Sequence, residues 1–136
     1  MVDKPIKHEI GLHILVAEDN QINQLVAKKI LQKLGCTCVV VNDGIECLEQ
    51  LAAHRFDMVL MDCVMPNMDG LEATRWIRAS GTDYGNMPII ACTANAMPSD
   101  RQDCLDAGMN DYMDKPVDIQ RMIDVLTGWS GKLKNA

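Results

Sequence analysis

The segment HILVAEDN, His13 to Asn20, joins an apolar run to an acidic pair and a helix start. From Ile14 to Ala17 it is apolar without the alternation of a sheet that has one wet face, so His13–Ala17 reads as a strand covered by helices on both sides. The strand ends on an acidic pair, Glu18 and Asp19. From Gln21, apolar residues recur at Ile22, Leu25, Val26, Ile30, Leu31 and Leu34, one face of a 3.6-residue period, and Gly35 suits the stop position. Strand, carboxylates and helix in immediate succession make a βα unit.

The unit repeats along the chain. Cys36 to Val41 gives a second strand, and Asp43 with Glu46 resembles a capping box ahead of a helix carrying Ile45, Leu48 and Leu51. Met58 to Met61 forms a third strand ending at Asp62; the loop Cys63 to Asp69 then leads to a helix from about Gly70 to Ala79. Pro88 to Cys92 is the fourth strand, followed by Thr93. Ser99, with Gln102 three residues on, can start a fourth helix that Gly108 ends. Tyr112 and Met113 form a short fifth strand before Lys115 and Pro116, and Asp118 caps a last helix with Ile119, Met122, Ile123 and Leu126 on its apolar face. Such a series predicts a doubly wound α/β fold, a five-stranded parallel sheet with helices on both faces. Residues 12–128 are expected to form the domain, with 1–11 a linker or tag remnant and 129–136 a tail.

Composition narrows the function. The 136 residues, 48% of them hydrophobic, suit one globular domain with a sizeable core. The 13 basic and 19 acidic residues leave a net charge of -6, the wrong sign for nonspecific attraction to nucleic acid. MVDKPIKHEI is no signal sequence and no apolar stretch approaches about 18 residues, so the reading is a cytoplasmic domain without membrane contact, whose parent could be membrane-anchored. Cys36, Cys38, Cys47, Cys63, Cys92 and Cys104 include no CxxC pair and read as buried thiols.

The chemistry lies at the strand ends, where an open parallel sheet gathers its ligands. Glu18, Asp19 and Asp62 in one crevice would repel one another; two like charges about 4 Å apart cost on the order of 4 kcal/mol at an effective dielectric near 20. A small hard cation relieves this, and Mg²⁺ accepts few carboxylates while keeping waters that leave room for phosphate oxygens; carboxylates alone do not distinguish it from Mn²⁺. Lys115 supplies a compact positive charge and Thr93 a hydroxyl donor for phosphoryl oxygens. Phosphoryl transfer asks a protein mainly for positioning and charge stabilisation, so a carboxylate nucleophile, a metal, a lysine and a hydroxyl suffice. Asp62 is the nucleophile of choice, with a strand behind it and a bending loop ahead.

These segments carry a resemblance. ILVAEDN, VLMDCVMPNMDGLEATRWIR, PIIACTANA and AGMNDYMDKPV are similar to the motifs of the receiver domains of two-component response regulators, over nearly all of residues 12–128. AEDNQINQ and ACTANAM further resemble the receivers of hybrid sensor histidine kinases. The resemblance implies a flavodoxin-like strand order 2-1-3-4-5. It implies Asp62 as the phosphoacceptor and Mg²⁺ held by Asp19 and Asp62, with Glu18 acting through water and the Val64 carbonyl as a further ligand. It implies Thr93 and Lys115 as phosphoryl binders, a cis bond between Lys115 and Pro116, and Tyr112 as an aromatic switch moving with Thr93. Val64 and Asn95 fall where the family tunes self-hydrolysis. The implied partner is a histidine kinase or a histidine phosphotransfer domain in a phosphorelay. The implied role is a conformational switch, monomeric or weakly dimeric, that assists its own phosphorylation and dephosphorylation rather than an enzyme acting on other substrates.

Three alternatives share parts of this pattern. A stand-alone single-domain response regulator would have the same site as a domain of a hybrid kinase. A magnesium-dependent phosphatase of the haloacid dehalogenase type would need a second acid two residues after the nucleophile, where Val64 stands. A nucleotide-driven kinase would need a GxxxxGK loop, which the sequence lacks.

Overall fold

The structure, a computed structural model, describes residues 10–94 and 98–134. Strands and helices alternate throughout: β1 His13–Ala17, α1 Gln21–Lys33, β2 Thr37–Val41, α2 Gly44–Ala53, β3 Met58–Asp62, α3 Gly70–Ala79, β4 Ile89–Thr93, α4 Pro98–Ala107, β5 Asp111–Asp114 and α5 Ile119–Lys134. All strand pairs are parallel, in the order β2-β1-β3-β4-β5. The chain therefore turns back across β1, leaving the carboxyl ends of β1 and β3 side by side at a crevice.

Period-two alternation divides the core into two layers. Ile14, Val16, Leu60, Ile90 and Cys92 face Leu31 of α1, its C-cap Leu34, and Met122, Val125 and Leu126 of α5. Leu15, Ala17, Val59, Met61, Ile89 and Ala91 face Cys47 and Leu51 of α2, Ala73 and Ile77 of α3, and Cys104 of α4. β3 and β4 are buried at every position, which is why they read as continuous apolar runs.

Several boundaries differ from the sequence reading. Cys36 is buried but precedes β2, and Thr93 closes β4 instead of following it. β5 extends over four residues, paired with β4 from Ile90↔Asp111 to Thr93↔Asp114. Ser99 is not a cap but lies in the first turn of α4, which starts at Pro98, a residue suited to an N-terminal position because its missing N–H would go unused there. Glu46 departs from a capping box: Asp43 accepts from the Glu46 N–H at 2.8 Å, but the Glu46 carboxylate accepts from the Asn42 N–H at 2.7 Å.

The ends are also corrected. Residues 129–134 are not a tail: α5 continues to Lys134, because Trp129 packs against the core and Ser130 is buried. Within the expected lead-in, Ile10 is buried and its N–H donates to the Leu34 carbonyl at 2.8 Å. The apolar face of α1 is only half used. Leu31 and Leu34 are fully buried, whereas Ile22 and Leu25 are 73% and 53% exposed, since the amino-terminal half of the helix runs beside the crevice, past the end of the sheet face that would cover it.

Candidate functional site

Glu18 follows β1, Asp62 ends β3, Thr93 ends β4 and Lys115 follows β5, so parallel pairing brings all four to one edge. Glu18, Asp62 and Thr93 are buried, and Asp19 is exposed at the mouth. Carboxylate oxygens of Glu18, Asp19 and Asp62 lie within 4.8 Å of one another. Lys115 reaches across the crevice: its Nζ is 2.6 Å from Glu18 Oε1 and 2.9 Å from Asp62 Oδ2. Strand-end positions predict the lysine beside the aspartate; its second bridge, to Glu18, emerges only in the structure.

Each group is fixed by local structure. The Glu18 N–H donates to the Val41 carbonyl, and its Oε2 accepts from the Asn20 N–H at 3.1 Å. Asn20 in turn caps α1 by accepting from the Asn23 N–H. The Lys115 N–H donates to the Thr93 carbonyl at 2.9 Å, tying the lysine segment to the strand that carries the hydroxyl, and the Lys115–Pro116 bond is cis. The Val64 N–H donates to Asp62 Oδ1 at 3.2 Å, while the Val64 side chain points to solvent at 76% exposure. Asn95, named with Val64 in the sequence reading, lies outside the described residues.

The loop after Asp62 closes by a backbone approach that the sequence does not reveal. The Gly70 N–H donates to the Cys63 carbonyl at 3.2 Å, and a Cβ on Gly70 would collide with the Asp62 carbonyl oxygen. No side chain fits there. Behind the loop, Asn67 adopts φ 65° and its amide donates to Asp43 at 2.7 Å, so the cap of α2 also anchors the segment in front of Asp62.

Burial pushes the Asp62 carboxyl above its ordinary pKa; Lys115 and the Val64 N–H pull it down, and the Glu18 charge adds to the rise. Burial alone would lower Lys115, but its bonds to Glu18 and Asp62 outweigh this and hold the ammonium above its ordinary value. One lysine faces three carboxylates, an excess of negative charge within a few ångströms. Oxygen donors of this kind fit a hard divalent cation such as Mg²⁺, which needs only one or two carboxylates and retains waters.

Tyr112 lies on β5, half-buried, with Arg101 of α4 stacked 4.4 Å above its ring and Arg121 of α5 donating to its carbonyl at 2.8 Å. Arg101 Nε is buried without a hydrogen-bond partner among the described residues, consistent with a guanidinium positioned by the ring. Met97 lies outside the described residues. No helix among the described residues is long and apolar enough to cross a membrane.

Comparisons with known proteins agree on one family. The family model of the response regulator receiver domain matches residues 14–127. The sensor histidine kinase RcsC of Escherichia coli K12 is 35% identical over 134 residues, covering 98% of this chain and 14% of its own length. The autoinducer 2 sensor kinase/phosphatase LuxQ of Vibrio vulnificus is 43% identical over 119 residues, covering 85% of this chain and 13% of its own length. The chain thus spans about a seventh of the length of these relatives. Among solved structures, the receiver domain of sensor histidine kinase PA1611 from Pseudomonas aeruginosa PAO1 is 45% identical with a TM-score of 0.82, covering 89% of this chain and 98% of that one; it holds a magnesium ion in its active-site cleft. The receiver domain of Ssk1 from Saccharomyces cerevisiae, solved with the histidine phosphotransfer protein Ypd1, is 26% identical with a TM-score of 0.80, covering 88% of this chain and 89% of that one.

Proposed function

This chain belongs to the response regulator receiver domain family of two-component systems, and from that premise we propose that Asp62 takes a phosphoryl group from a partner's phosphohistidine and thereby switches the domain's conformation. One observation carries the proposal: Asp62 is buried against the Lys115 ammonium at 2.9 Å with two more carboxylates close by. Glu18, Asp19, Asp62 and the Val64 carbonyl would hold Mg²⁺, with Mn²⁺ as the alternative. The bound ion supplies electrostatic stabilisation of phosphoryl oxygens.

The chain's own groups do the rest. A carboxylate oxygen of Asp62 attacks phosphorus in line, and the P–N bond to the donor histidine breaks, leaving its electron pair on the imidazole. Lys115 exchanges its bond to Asp62 for one to a phosphoryl oxygen, and the Thr93 hydroxyl donates to another. This draws β4 inward, and Tyr112 responds, carrying Arg101 and α4 with it. With Val64 in place of a second acid there is no general base two residues on, which favours a persisting acyl phosphate over rapid hydrolysis and a phosphoacceptor over a phosphatase.

The exposed Ile22, Leu25 and Val26 flank the crevice and offer an apolar surface to a histidine kinase or phosphotransfer partner. The relatives with which the chain aligns so completely favour a place within a hybrid sensor histidine kinase over a stand-alone regulator. Intact-mass measurement after incubation with acetyl phosphate and Mg²⁺ tests the central reading. A single added phosphoryl group is expected, absent in Asp62→Asn and after chelation; an adduct that persists in Asp62→Asn would refute it.

A further inference from the structure

Cys63 and Cys104 are forty-one residues apart in sequence, yet their sulfurs lie 3.3 Å apart. Cys63 is the first residue after Asp62, and Cys104 is the buried middle of α4. Both line a cleft of about 180 Å³ shared with Val64, Thr93, Asp100 and Asp103, so a small solute reaches the pair from the side of the phosphoacceptor crevice. Cys63 is half-buried and meets solvent first, while Cys104 is 3% exposed behind it.

We propose that Cys63 and Cys104 form an oxidisable dithiol whose disulfide pins α4 to the phosphoacceptor loop, making the domain responsive to peroxide. A disulfide needs sulfurs about 2.05 Å apart, so closure requires a relative movement of little more than 1 Å. The helix that must move is lightly held: among its residues only Cys104 and Ala107 are buried. The chemistry balances in two steps. The Cys63 sulfur attacks hydrogen peroxide, the O–O bond breaks, and sulfenic acid and water form; the Cys104 sulfur then attacks that sulfur, expelling the hydroxyl as a second water. Two thiols have lost two electrons to the peroxide, and one S–S bond has formed. Burial holds the Cys63 thiol above its ordinary pKa, so the advantage of this pair is its proximity rather than its acidity.

The expected consequence rests on the phosphoacceptor reading. A crosslink between α4 and the residue next to Asp62 opposes the rearrangement of α4 that accompanies phosphoryl uptake.

Peptide mass mapping of the whole chain after mild hydrogen peroxide, with free thiols alkylated, tests the site without any variant. A Cys63–Cys104 linked peptide that disappears on reduction is expected. Both cysteines recovered alkylated, separately overoxidised, or linked to other residues would overturn the proposal. Acetyl phosphate uptake by oxidised and reduced chain tests the consequence: the oxidised form should load about fivefold more slowly or worse, reversibly. Cys104→Ser should lose this sensitivity to peroxide. Equal loading of linked and reduced chains would overturn the switch. A reduced chain that takes up no phosphoryl group would sink the reading of Asp62 instead, while the mapped crosslink decides the thiol pair independently.

Discussion

Two cations sit at opposite ends of the same sheet and do opposite work. At the carboxyl end Lys115 bridges two carboxylates, Glu18 and Asp62. At the amino end Arg78, among the described residues, donates to neutral oxygens: Nε to the Gly108 carbonyl at 2.9 Å, one terminal nitrogen to the Gly85 and Met87 carbonyls at 2.8 Å, and the other to Asn110 Oδ1 at 2.8 Å. Asn110 Oδ1 also accepts from the Ile89 N–H, so the guanidinium staples α3 to the entries of β4 and β5. Burial pulls Arg78 down from its ordinary pKa. The lesson is one of partners: carbonyls that already belong to the backbone give a fixed staple, whereas carboxylates in excess of their cation leave a charge that a metal and a phosphoryl group can rearrange.

The largest effect expected is on the staple. Arg78→Ala removes every donor from that cluster of acceptors and should cost about 3–5 kcal/mol in chemical denaturation. Arg78→Lys should recover only part of this, because an ammonium lacks the planar fork. Next comes Lys115→Met, which should slow phosphoryl loading from acetyl phosphate by about 10²–10³-fold, the usual cost of one donor to a developing oxyanion. Its Mg²⁺ affinity, read by titration calorimetry, should rise, because the lysine and the metal compete for the same carboxylates. Weaker Mg²⁺ binding in that variant would break the contrast between the two cations.

Gly70→Ala should be less costly, about 1–3 kcal/mol, since its Cβ must displace the Asp62 carbonyl or the loop in front of it. Loading should fall along with stability, which distinguishes this position from Arg78, where stability falls alone. The smallest effect is at Asp43. Its bonds from the Glu46 N–H and the Asn67 amide hold its carboxyl below the ordinary range, so its contribution is present above the usual carboxylate pKa and lost as pH falls through the lower folded value. Asp43→Ala should cost about 1 kcal/mol at neutral pH. The difference from the parent chain should shrink on acidification below about pH 4.

Much of this molecule is legible in its sequence. The apolar runs of β1 and β3, the caps Asp43 and Asp118, and the stop at Gly35 are local features, read within a turn or a strand of each other. The acids, the hydroxyl and the lysine are legible as well, because each closes or follows an apolar run and a parallel sheet collects such positions at one edge. Less is legible where a local pattern meets a long-range boundary. The apolar stripe of α1 is correct as a helix signal, but periodicity cannot say where the sheet beneath it ends, so the exposure of Ile22 and Leu25 stays hidden. Likewise the sequence reading ends the domain at residue 128, yet Trp129 finds core to cover and α5 continues.

The alternation of strands and helices, the two-sided burial of the sheet and the choice of residues at its carboxyl edge are all set locally, because hydrophobic period, capping and strand-end position act over a few residues. Lys115 spanning both Glu18 and Asp62, Arg78 gathering carbonyls from two loops, Gly70 lying against Asp62 and Cys63 meeting Cys104 are visible in the folded chain alone. Those contacts depend on which strands are neighbours and how far each helix slides along them, and packing of the whole core sets both.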